Sequence, residues 1–178
     1  MEALFSFSIA TVLFLLPSPI VRRASLSFAS QNALAVKASK YVGLKHGSHL
    51  PDNLKGVGGA SISSMGDAKE YGINEVHQGR VKMLWFEHMT YRDDSGAPNW
   101  EVKDVLVLPT IPRNKVLVYS FCSSGKKPDS EIVAIADYQP DEEFFTRVRR
   151  AWRANRKTEK FEEISPRSIR CTNEGYGV

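Results

Sequence analysis

The chain has 178 residues, 42% of them hydrophobic and 10% aromatic, which is enough for one packed domain with an extension. Its formal net charge of +4 resides in the first 51 residues, where five Lys or Arg accompany one acid. The rest carries 19 residues of each sign, so the basic balance does not argue for a nucleic-acid partner.

The segment from Ala3 to Leu16 is apolar but is interrupted by Ser6, Ser8 and Thr11 and closed by Pro17 and Pro19. It falls short of the roughly 20 apolar residues that a membrane span requires. A secretory signal places positive charge ahead of its apolar run; here Glu2 stands ahead of it, and Arg22 and Arg23 come after. The following stretch, RRASLSFASQNALAVKASK, is rich in Ser and Ala and contains bases but no acid, the composition of an organelle transit peptide. Val36, Lys37 and Ala38 before Ser39 resemble the small-residue processing site of chloroplast import. These features predict a transit peptide over 1–38 and a location in the chloroplast stroma or on the stromal side of the thylakoid. Mitochondrial import and secretion are the alternatives.

Eight of the twelve glycines lie between Gly43 and Gly79, with GVGGASISSMG at the centre and few large apolar side chains around them. Residues 39–79 therefore read as a Gly/Ser-rich flexible linker. Gly56, Gly58 and Gly59 lack the Lys-Ser/Thr ending of a phosphate-binding loop.

The three tryptophans, Trp85, Trp100 and Trp152, all fall in the region 80–178, which is expected to be the folded domain. VKMLWFEHMTYR predicts a strand, Asp93 to Gly96 a turn, and WEVKDVLVLP the returning strand of a hairpin. Lys115 to Ser123 and Glu131 to Asp137 predict two more strands, and Lys160 to Ile164 with Ser168 to Cys171 a short fifth. Between them, DEEFFTRVRRAWRANR over 141–156 has Phe144, Phe145, Val148, Ala151 and Trp152 on one side at 100° per residue. Acids precede its arginines, and Pro140 stands at its entrance. An amphipathic helix is expected here. The predicted fold is α+β, a four- to five-stranded antiparallel β-meander with one C-terminal amphipathic helix packed on one face.

Three sets of residues are candidates for function. If Tyr91 pairs with Trp100, Glu87 stands opposite Asp104, two carboxylates on one apolar face with His88 nearby, which would form an acid pair for catalysis or metal binding. The competing arrangement is a bulge that turns Asp104 away. The second set is Arg147, Arg149, Arg150, Arg153 and Arg156, a cationic face for docking on an acidic protein or an anionic membrane surface, or for ion pairs within the chain. The third is Cys122 and Cys171, read as two buried thiols with one disulfide as the alternative. No cofactor fingerprint or metal-ligand spacing is present, so no cofactor or metal is assigned. The expectation is a non-catalytic plastid accessory or assembly factor docking on a larger protein complex, such as a photosynthetic one, through the arginine-rich helix. A plastid nucleic-acid-binding protein using the same helix is the alternative, and an enzyme built on Glu87 and Asp104 is third.

Overall fold

The computed structural model describes residues 38–51, 53–63 and 67–177. The transit-peptide expectation thus lies outside the described residues, except for Ala38. Thirteen strands form among these residues: β1 Lys45–His46, β2 Lys55–Ser61, β3 Tyr71–Gln78, β4 Val81–Arg92, β5 Pro98–Val107, β6 Lys115–Tyr119, β7 Cys122–Ser124, β8 Lys127–Asp129, β9 Ile132–Asp137, β10 Phe144–Phe145, β11 Val148–Asn155, β12 Lys160–Ile164 and β13 Ile169–Thr172. They make three antiparallel sheets with the orders β1-β5-β4-β3-β2, β12-β11-β9-β6 and β10-β13-β7-β8.

These sheets stack. Tyr71, Ile73, Leu84, Phe86 and Leu108 of the first region pack against Val133, Ile135, Trp152 and Ala154 of the second sheet, forming the inner core. The other face of the second sheet, with Val118, Ile132, Ala134, Ala136 and Ala151, is covered by Cys122, Phe145, Ile169 and Cys171 of the third. The outer face of the first sheet, with Val76, Met83, Trp85 and Val102, is covered by a strap from Ala38 to Leu54 through Ala38, Tyr41, Leu44, Leu50 and Leu54. Burying a large side chain contributes roughly 1.5–3 kcal/mol, so each layer is held chiefly by the one beside it.

The α+β expectation is overturned: among the described residues there is no helix of seven or more, and the region 141–156 is β10, a bend and β11. The reason lies in the spacing. Phe144, Val148 and Trp152 recur every four residues, close to one helical turn, yet they share no face: Phe144 lies on β10, and a bulge between Val148 and Arg150 sends Val148 to the outer core and Trp152 to the inner one. β11 is interior to its sheet, paired with β9 on one side and β12 on the other, and it is apolar on both faces. Trp152 and Ala154 enter the inner core while Ala151 enters the outer one. Pairing on both edges overrides the helical preference of Ala and Arg.

The linker expectation for 39–79 is also corrected. This segment supplies a 3-10 turn at Ser39–Tyr41 together with β1, β2 and β3. Composition misled because β2 needs almost no side chains: it is held by its ladder to β3, and a Cβ at Gly59 would come 2.9 Å from the Ile73 carbonyl oxygen. The predicted hairpin and its turn are present as β4 and β5. Asp93 Oδ1 accepts from the Ser95 and Ala97 N–H groups, and Gly96 adopts φ +84°. Cys122 and Cys171 are directly opposed on β7 and β13 and form a disulfide, so the thiol reading is replaced by its alternative.

Candidate functional site

The hairpin register separates the two carboxylates expected to form an acid pair. Glu87 pairs with Val102 and Phe86 with Asp104, leaving Lys103 as the extra residue of a bulge. Asp104 turns toward the second sheet, where its Oδ2 accepts from the Phe161 N–H at 2.8 Å and its Oδ1 lies 3.6 Å from Lys160 Nζ. Glu87 is 3% exposed beneath the strap. No shared proton or cation can bridge the pair.

Glu87 has a different partner. The strap crosses the sheet with the Gly43 N–H on the Val102 carbonyl and the Val102 N–H on the Leu44 carbonyl, and this lays His46 over β4. His46 Nε2 is 2.9 Å from Glu87 Oε1, and His46 Nδ1 is 2.8 Å from the Gly47 carbonyl. A carbonyl only accepts, so Nδ1 carries a proton; an unprotonated Nε2 would set a lone pair against the carboxylate. Opposite an ionised carboxylate the ring is therefore an imidazolium. Burial alone lowers its pKa, but the Glu87 hydrogen bond and charge, with the Gly47 carbonyl, outweigh burial and raise it above the ordinary 6.5. Both ring nitrogens are engaged and the side chain is 4% exposed, so the pair fastens the strap and offers no base to a substrate.

His88 lies on the opposite face from Glu87, its ring 5.1 Å from that of Tyr71. Burial, and then the nearby Lys103, lower its pKa. Tyr71 Oη donates to Glu159 Oε1 at 2.8 Å, and burial together with that carboxylate pushes the phenol up to about 12. Lys103 Nζ lies 3.3 Å from both Glu101 and Glu159. Glu159 sits at φ +55° in the β11–β12 turn, held by these partners. This cluster is a closed network of charges joining two sheets.

Each of the five arginines has an intramolecular carboxylate. Arg147 and Arg149 share Asp137, Arg150 forks onto Glu163, Arg153 bridges Asp129 at 2.6 Å and Glu131 at 3.2 Å, and Arg156 reaches Glu131 at 2.6 Å and Asp67 at 3.4 Å. Arg150 also lies 4.6 Å over the Trp152 ring. Asp137 on β9 and Glu163 on β12 thus answer the basic row from the neighbouring strands, and Asp129 at the end of β8 with the loop residues Glu131 and Asp67 answers its far end. Arg153→Gln should lower the urea midpoint by the equivalent of roughly 1 kcal/mol, because it leaves Asp129 and Glu131 facing each other. Arg147→Gln, whose Asp137 contact is 3.7 Å long, should leave the midpoint unchanged.

The feature that sequence reading missed is an open flank. β2 is the last strand of the first sheet, with no strand beyond it among the described residues. Its neighbour across the stack, β6, is likewise the last strand of the second sheet, and a Cβ at Gly58 would come 3.2 Å from Tyr119 Oη. The Ile62 N–H donates to the Tyr71 carbonyl, so by alternation Ala60 and Gly58 face β3 while Ser61 and Gly59 direct their N–H groups to the open side. From Gly58 to Ser61 the pairing with β3 is regular, without proline or charge; a bulge at Val57 ends this run. Beside it, an open hollow of about 510 Å³ is lined by His46, Ser48, His49, Leu50, Leu54, Lys55 and Asn74, among others. The glycine spacing is the available signal, and it fits a bare strand edge as well as a flexible linker.

Among the described residues no group of three or more His, Cys, Asp or Glu is placed to hold a metal ion. Comparison of the chain with protein-family models, with curated proteins and with solved structures found no match in any of the three.

Proposed function

We propose that the chain is a non-catalytic accessory or assembly factor of a protein complex in the plastid, and that it docks by accepting an extended segment of its partner along β2. The open edge of β2 carries this reading: along four regular residues with almost no side chain, Gly59 and Ser61 present their N–H and C=O groups to whatever approaches. The leader, rich in Ser and Ala and without an acid after Glu2, supports the plastid location. Docking through the arginines has lost its support, since the helix is absent and each of the five guanidinium groups of the row has a carboxylate within the chain. The nucleic-acid alternative drew on the same row and falls back with it.

The test uses the processed full chain added to fractionated organelles and followed on a native gel. Ser61→Pro removes one outward N–H and leaves the ladder to β3 in place, whereas Ser61→Ala keeps that N–H. Wild type and Ser61→Ala should co-migrate with a large complex and Ser61→Pro should run alone, with thermal unfolding showing that it is folded. Wild type running alone, or folded Ser61→Pro co-migrating as before, overturns the reading.

A further inference from the structure

Resting on the reading that β2 accepts a partner strand, we infer that the accepted segment is a free C-terminus, with its terminal carboxylate beside Lys55 and His49 and its last, apolar side chain in the hollow over Leu50 and Leu54.

Direction comes first. A strand added antiparallel to β2 along Gly58–Ser61 runs from Ser61 toward Lys55, so its C-terminal end arrives at the hollow. The bulge at Val57 interrupts the regular edge at that point, and the added chain loses its hydrogen-bonding partner where the hollow begins. A segment that continued would have to leave the sheet there. One that ends there has nothing further to pair.

Charge comes second. The described lining of this hollow contains Lys55, His46 and His49 and no carboxylate. Two other hollows differ: one is lined by Asp129 and Glu131 and the other by Asp67 and Glu131, each with arginine already matched to acid. Lys55 is exposed and has no carboxylate partner among the described residues. His46 is engaged with Glu87, and His49 Nδ1 lies 3.0 Å from Ser48 Oγ. The carboxylate nearest along the adjoining strand, Glu75, is held by His77 at 2.8 Å. A terminal carboxylate is the charge that a C-terminal end brings whatever its sequence, and Lys55, unpartnered among the described residues, suits it. Leu50 lies at the Gly56 position, where a Cβ would sit 3.5 Å from it, so an apolar side chain coming alongside Gly56 meets an apolar surface.

The experiment selects binders of the full processed protein from two displayed libraries of random ten-residue peptides, one with free C-termini and one with the C-terminus fused to a carrier domain. Enrichment is expected only from the free-end library, with Val, Leu or Ile last. Synthetic peptides made from the selected sequences should lose about tenfold in affinity when amidated, and about tenfold against Lys55→Gln, as for a partly exposed charge-assisted hydrogen bond. Ser61→Pro should abolish binding of the same peptides. Equal enrichment from both libraries, or amidated peptides binding as well as free acids, overturns the carboxylate inference and leaves strand addition standing. Enrichment from neither overturns the inference as well, and the native-gel result then decides separately whether β2 docks at all.

Discussion

Glu87→Ala should be among the most destabilising single substitutions in the chain, costing about 3–5 kcal/mol. It leaves the His46 imidazolium beneath the strap with no counter-charge, and the strap must either lift or release its proton. The urea midpoint measures the loss, and emission from Trp85, whose ring lies 5.2 Å from Tyr41 and 5.6 Å from His46, should report the strap lifting. pH separates this origin from lost packing. His46 has its pKa raised by folding, so the folded chain holds a proton that the unfolded chain gives up as pH climbs past 6.5. The stability due to His46 is fully present below about 6.5 and is lost as pH rises through the folded-state value. The gap between wild type and Glu87→Ala should accordingly narrow from pH 6 toward high pH. A gap that stays constant would mean that the ring is not charged in the fold.

Replacing both Cys122 and Cys171 by Ala should cost about 4 kcal/mol, the loop-closure value for a link between residues 49 apart. The third sheet is where this cost should appear. Its strands are two to four residues long, too short to hold by hydrogen bonds alone, and they cover the outer face of the second sheet through Phe145, Ile169 and the disulfide itself. Cys171 is wholly buried and Cys122 is 4% exposed, so reductant added to the folded protein should act slowly, through opening of this layer. Urea unfolding with and without reductant, compared with the double variant, checks both points. Equal midpoints for the oxidised and double-Ala proteins would remove the disulfide from any account of stability.

Parts of this fold were legible in the chain because the physics that specifies them is local. The β4–β5 hairpin is announced by Asp93 and Gly96 at its turn, and β6, β9, β12 and β13 by short β-branched and aromatic runs. The failures were failures of context. A four-residue spacing suits a helix face, and only the bulge after Val148 and the neighbours on both edges of β11 make the segment a strand. The glycines of β2 say only that side chains are absent, which is as true of a strand held by its backbone as of a loose tail. The positions of Glu87 and Asp104 turned on one extra residue, Lys103, and a bulge of that kind leaves no mark in periodicity. The partner of Glu87 lay 41 residues upstream in a segment read as unstructured, so no spacing rule reaches it.

The order in which the layers join also has a bearing on the chain's early life. The first sheet has all its strands by Val107, yet Phe161 is still needed for its inner face. The second sheet waits for Lys160–Ile164, and the third waits for Ile169–Thr172 to reach Cys122. Closure between such distant residues is slow, and little of it can begin before the tail is available. A newly made copy therefore cannot seal its outer layer until Ile169–Thr172 has been added.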